Sequence, residues 1–168
     1  MPRLLVDRFA PDTINQFRAA ARIREEDALR LAGSGRGTAA VYLWGYAAEM
    51  TLKAAWFALI GYPDDKEILP KNLHSAVKTA QVAHQIQWPQ KGRLHAVHHW
   101  ALLLTRHRMT LGCGYSDPMF GAAVVDHSQR IYKRWRETLR YKRNEAYSFE
   151  IRTVAESTRW LVSHSLHL

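Results

Sequence analysis

From Ala39 to Ile60 the chain reads AAVYLWGYAAEMTLKAAWFALI, with Glu49 and Lys53 as its only charged residues. Val41, Gly45, Ala48, Leu52, Ala55 and Leu59 form one row at three-and-four spacing. Tyr42, Tyr46, Glu49, Lys53, Trp56 and Ile60 form a second row beside it. Both rows keep the period of an α-helix, so the segment is a helix with little solvent-facing surface. Its length would allow a membrane span, but Glu49 and Lys53 would fall near the bilayer centre, where an ionised side chain costs roughly 2.5–3.5 kcal/mol. The segment therefore reads as the central helix of a packed core, and no membrane partner is expected.

The rest of the chain punctuates into helices, and no segment shows sustained alternation of apolar and polar residues. A first helix runs through Leu31 with Ile14, Phe17, Ala21, Ala28 and Leu31 on one face, Asp12 as N-cap and Gly33 at its end. The glycine-rich turn from Gly33 leads to Thr38, read as a cap of the central helix, and Gly61-Tyr62-Pro63 stops that helix. A short helix lies around His74–His84, and another spans Gly92–Arg108 with Leu94, Val97, Ala101 and Leu104 inward. After the Gly112–Pro118 loop, a further helix carries Phe120, Val124, Ile131, Trp135 and Leu139 on its buried side. Ser148 is read as N-cap of the last helix, whose inward positions are Ile151, Val154, Ala155, Thr158, Leu161 and Val162. The expected fold is all-α, a bundle of about five to six helices forming a single domain over residues 1–168.

Composition narrows the partners. The 168 residues carry 24 Lys and Arg against 15 Asp and Glu, a net charge of +9, which favours polyanions. Cys113 is the lone cysteine. With no long apolar run in the opening MPRLLVDRFAPD, it points to a reducing cytoplasm. The densest positive region is Arg130, Lys133, Arg134, Arg136, Arg140, Lys142 and Arg143, interleaved with Tyr132, Trp135 and Tyr141. Basic side chains neutralise phosphates and aromatic faces stack unpaired bases, so this run suits RNA or a nucleotide, against the alternative of a solvated helix face. Glu49 and Lys53, four apart with the acid first, can pair along one helix face. Glu49 is expected to anchor Arg140 and so fix the register of two helices. Alternatively Tyr46, Glu49, Lys53, Arg140 and Tyr141 line one polar pocket for an anion.

Other motifs are weaker. His95, His98 and His99 are spaced for two imidazoles on one metal ion, but no carboxylate or Cys sits at a matching helical spacing, so no metal is assigned. Gly33-Ser34-Gly35-Arg36-Gly37 follows a helix and lacks a terminal Gly-Lys-Ser/Thr, so no nucleotide-loop fingerprint or cofactor is assigned.

The order Arg36-Gly37, Tyr42, Gly45-Tyr46-Ala47-Ala48-Glu49, Leu52-Lys53-Ala54 and, much later, Trp135-x3-Leu139-Arg140-Tyr141 resembles the HEPN domain superfamily, from about Asp27 to Leu161. The resemblance implies an up-and-down helical bundle, commonly a homodimer, with RNA-directed roles in toxin–antitoxin or defence systems. It also implies an Arg-x4–6-His nuclease motif near the start of the last core helix. Here that place reads Arg143-Asn144-Glu145-Ala146-Tyr147-Ser148, with Ser148 where the His should stand. A serine does not titrate near neutral pH as imidazole does. The expectation is therefore a binding module for RNA, a nucleotide or a partner protein, with no catalytic residue assigned. The alternative is a metal-independent ribonuclease using Arg143 and a displaced His127 or His74.

Overall fold

The structure is a computed structural model that describes residues 11–168, so the reading of the opening residues as lacking a leader lies outside it. Its described residues form an all-α bundle: α1 (Ile14–Gly33), α2 (Gly37–Leu59), α3 (Pro70–Val82), α4 (Val97–Thr110), α5 (Pro118–Tyr132) and α6 (Ser148–Ser163). Short 3-10 turns at Arg93–His95 and Glu137–Tyr141 lead into α4 and α6. No helix among the described residues is long and apolar enough to cross a membrane.

The organising element is α2, buried at nearly every position from Ala40 to Phe57. It packs along α1 and against α4 and α6, while α5 closes the other side by contacting α4 and α6. The fully buried large side chains Trp44, Trp100, Trp135, Phe57, Leu52, Leu103, Leu104 and Leu161 make one continuous core. That burial removes apolar surface from water at roughly 25 cal/mol per Å² and is the main stabilising term.

One contact fixes how the 133–147 segment lies on α2. The Trp135 ring rests on the α2 backbone at Gly45, where a Cβ would come within 2.1 Å of the ring, and its indole N–H donates to the Tyr42 carbonyl at 3.0 Å. Gly45 is thus required for close approach, despite the helix-propensity disadvantage of glycine of about 1 kcal/mol. A second tie joins α6 to α2, from the Thr158 hydroxyl to the Trp44 carbonyl at 3.2 Å.

Several boundaries differ from expectation. The N-cap of α1 is Thr13, whose hydroxyl accepts from the Gln16 N–H at 3.1 Å; Asp12 is exposed and its carbonyl accepts from the Ile68 N–H. Thr38 does not cap α2, because it is already the second helical residue. Its hydroxyl instead accepts the N–H groups of both Glu145 and Ala146 at 2.8 Å. The fifth helix ends at Tyr132, so Trp135 and Leu139 reach the core from a turn and a 3-10 segment instead of a continued helix. The N-cap of α6 is Tyr147, and the Glu150 carboxylate accepts its N–H at 2.9 Å; Ser148 is the first helical residue.

Candidate functional site

Two neighbouring regions gather the residues singled out in the sequence. The first is built on α2. Glu49 is 3% exposed and Lys53 5%, and the Lys53 ammonium donates to Oε1 of Glu49. The third partner is His95, at the end of the 3-10 turn before α4. Its Nδ1–H donates to Oε2 at 2.9 Å, with Oε1 at 3.2 Å. The Lys53 ammonium also lies 5.5 Å from the centre of the Trp100 ring. A buried carboxylate with a cation on one side and an imidazole N–H on the other has its lone pairs used, as a buried charge requires.

Here the expected register contact is corrected. Glu49 holds His95, and Arg140 lies in solvent with its guanidinium over Tyr141, 4.7 Å from that ring's centre. The reason is the early end of α5: Arg140 sits on a 3-10 turn at the surface, not on a helix face turned toward α2. Tyr46 bridges the two. Its ring meets Tyr42 edge-on at 5.0 Å, Trp135 at 5.3 Å and His95 at 5.7 Å. Burial, then Tyr42 and the Glu49 charge, push its phenol well above the usual tyrosine range, so Tyr46 stays a neutral hydroxyl. Because Nδ1–H of His95 donates to Glu49, Nε2 is the ring nitrogen left outside that contact, on a side chain 35% exposed beside Tyr132, Arg136 and Glu137.

The second region is a cleft of about 270 Å³ where the segment before α6 crosses the start of α2. Arg134, Lys142, Arg143, Glu145 and Glu150 supply its charges, and Val41, Leu139 and Ala146 its apolar wall. Asn144 fixes the crossing: its Oδ1 accepts the Thr38 N–H at 3.0 Å and its Nδ2 donates to the Gly35 carbonyl at 2.7 Å. With the Thr38 hydroxyl holding the next two amides, Asn144 orders the chain on either side of Arg143. Among the described residues no ion pair forms within the cleft, and the Lys142, Arg143 and Glu145 side chains have no partner. The Arg134 Nε–H is buried without an acceptor among the described residues, while another of its nitrogens donates to the Arg130 carbonyl.

Aromatic rings flank this cleft. Tyr147 and Phe149, 69% and 52% exposed, are stacked with centroids 6.0 Å apart and planes 10° apart, and the Arg134 guanidinium lies 5.9 Å from the Phe149 ring. Tyr141, 73% exposed, adds a third open ring.

The remaining predicted residues scatter. Arg130 is tied to Asp126 at 2.8 Å, one turn back on α5. Lys133 caps α5 in solvent, where its charge helps hold the His98 imidazole below its usual range after the larger effect of burial. Arg136 spends its guanidinium on the Tyr132 and Trp135 carbonyls and over the Tyr132 ring. His127 stacks on Trp160 at 4.6 Å, twelve residues beyond Ser148 and so about 18 Å along α6 from the end that Arg143 precedes. His74 is exposed on α3. Neither histidine meets Arg143.

Sequence reasoning missed His95 as the partner of Glu49, since nothing local links positions 46 apart. It also passed over Tyr147, Phe149 and Glu145. For the two rings a signal existed: aromatics two apart at a helix start, with Ser148 between them and Glu150 after them, cannot both face the core. No group of three or more His, Cys, Asp or Glu among the described residues is placed to hold a metal ion. No family model, curated protein or solved structure matches the chain.

Proposed function

We propose that this chain is a HEPN-like binding module for single-stranded RNA, which it holds along the face formed by Arg134, Lys142, Arg143, Tyr141, Tyr147 and Phe149. The observation that carries the reading is the conjunction of Lys142 and Arg143, without a partner among the described residues, in one cleft with the exposed, mutually stacked Tyr147 and Phe149 rings beside it. A solvated basic face needs neither. Charges with no partner leave phosphate contacts available, and exposed rings lose little by stacking on bases, which contributes about 1–3 kcal/mol per base. The net charge of +9 adds a long-range attraction for the same ligand.

Fluorescence anisotropy of labelled single-stranded RNA across a salt series, in EDTA, tests this. Binding that weakens with salt and is lost in Lys142→Ala/Arg143→Ala supports it. Equal affinity of that variant and the parent protein refutes it.

A second reading, metal-independent RNA cleavage, is favoured by the Glu49–His95 contact, which leaves an oriented imidazole Nε2 at the surface beside Tyr46. It replaces His127 and His74 by His95 as the proton acceptor. Cleavage of the same RNA on a gel, abolished in His95→Ala, would establish it; intact RNA after prolonged incubation would dismiss it.

A further inference from the structure

The cleft beside α2 holds two kinds of charge that do not meet. Arg134, Lys142 and Arg143 line it together with Glu145 and Glu150, yet among the described residues no cation lies within ion-pair distance of either carboxylate. In a site for phosphate alone, a carboxylate would repel the ligand. A cleft that keeps both signs apart and unpaired suits a ligand that brings an anion to one side and hydrogen-bond donors to the other.

The two carboxylates are not equivalent. Glu150 is committed, since its Oε2 accepts the Tyr147 N–H at the start of α6. Glu145 is held by its backbone, whose N–H donates to the Thr38 hydroxyl, and its carboxylate has no partner among the described residues. The backbone is fixed on both sides of it by Asn144 and Ala146, so the carboxylate is presented from an ordered segment.

We infer that Glu145 reads guanine: its carboxylate accepts the N1–H and N2–H groups of a guanine base seated in this cleft, while Arg134, Lys142 and Arg143 take the adjoining phosphates. Guanine alone among the four RNA bases offers two adjacent donors on its Watson–Crick edge. Adenine and cytosine each set a ring-nitrogen acceptor beside their amino group, and uracil flanks its one N–H with two carbonyls, so each of these turns lone pairs toward a carboxylate. Single-stranded RNA exposes that edge for reading. Size suits a small occupant, because a cleft of about 270 Å³ lies just below the usual range of small-ligand sites, which favours a single base with its phosphates outside and Val41, Leu139 and Ala146 against it. Phe149 and Tyr147 stand at the rim for the neighbouring base.

The inference rests on the RNA-binding reading, and the experiment separates the two. Anisotropy is measured on a short labelled oligouridine, the same strand with one guanine, and the same strand with inosine in that place. The guanine strand is expected to bind about tenfold more tightly than oligouridine, a typical gain for one two-point base contact. Inosine, which lacks the N2 amino group, is expected to fall between. Glu145→Gln, an exposed position whose carboxylate has no partner among the described residues, is expected to erase the preference without weakening oligouridine binding, since it removes a charge that repels phosphate; Glu150→Gln, which still accepts the Tyr147 N–H, is expected to keep the preference. Equal binding of the guanine strand and oligouridine, or a preference that survives Glu145→Gln, overturns the inference and leaves RNA binding standing. Failure of every strand to bind the folded protein overturns both.

Discussion

Oε2 of Glu49 lies 2.9 Å from Nδ1 of His95, while Oε1 of the same carboxylate takes the ammonium of Lys53. One buried anion therefore links the middle of α2 to the turn that starts α4. Removing the cation would leave that anion uncompensated at a site 3% exposed. Lys53→Met is expected to lower stability by roughly 3–5 kcal/mol, and the double variant Glu49→Leu/Lys53→Met to recover most of the loss, because a packed apolar pair avoids the desolvation of both charges. Urea unfolding of the two variants measures this. A double variant as unstable as the single one would mean that the link to His95 matters more than charge balance.

Gly45 and Trp135 make a second testable pair. Alanine at 45 would gain up to about 1 kcal/mol of helix propensity, but its methyl would stand 2.1 Å from the indole ring. The ring cannot retreat without giving up the hydrogen bond to the Tyr42 carbonyl. Gly45→Ala is therefore expected to be net destabilising by about 1–3 kcal/mol, and to change the near-ultraviolet signal of Trp135. In a Trp135→Leu background the same substitution is expected to be close to neutral. That non-additivity, read by a double-mutant cycle, is the signature of the contact.

The same pair shows what was legible in the sequence. The apolar rows of α2, with Val41, Ala48, Leu52 and Ala55 all buried, follow from local periodicity, and so do Val154, Thr158 and Leu161 on α6. Trp135 continues the apolar row of α5 in sequence, so it read as more of that helix. Its burial is instead set by Gly45, some ninety positions earlier. The site failed in the same way. Arg134, Lys142 and Arg143 were marked and do share a cleft, because they flank a segment pinned to Thr38. The partner of Glu49 was mistaken because the choice between Arg140 and His95 depends on where α5 stops. Nothing around Lys133 announces that stop, since no glycine or proline stands there.

Acid should loosen the fold. Burial lowers the imidazole pKa values of His84, His98, His99 and His127 below their usual range. The unfolded chain titrates near pH 6.5 and the folded one lower, so between those values the unfolded state binds more protons. Stability is then complete above about pH 6.5 and falls as the pH drops through that value toward the folded pKa values. Thermal unfolding at pH 7.5 and pH 5.5 is expected to show a lower midpoint in acid, with about 2–4 °C for each kcal/mol lost. His99, whose Nδ1 is buried without a partner among the described residues, supplies part of this. In His99→Gln the difference between the two pH values should shrink. An unchanged difference would place the acid sensitivity in the other three.

Salt dependence distinguishes the cations that hold phosphate from those that only decorate the surface. Each phosphate contact to a single strand contributes about 0.7 to the slope of log affinity against log salt concentration. Lys142 and Arg143 have no partner among the described residues, so neither must break a contact to meet the strand, and Ala at each is expected to reduce the slope by about 0.7. Arg130, also basic and only a turn from Arg134, is engaged by Asp126 at 2.8 Å. Arg130→Ala exposes that carboxylate and is expected to weaken binding slightly at low salt while leaving the slope nearly unchanged. Anisotropy titrations of the three variants at four salt concentrations decide the matter. Equal slope changes at positions 130, 142 and 143 would mean that the RNA follows net charge alone, and that the cleft beside α2 has no special part in holding it.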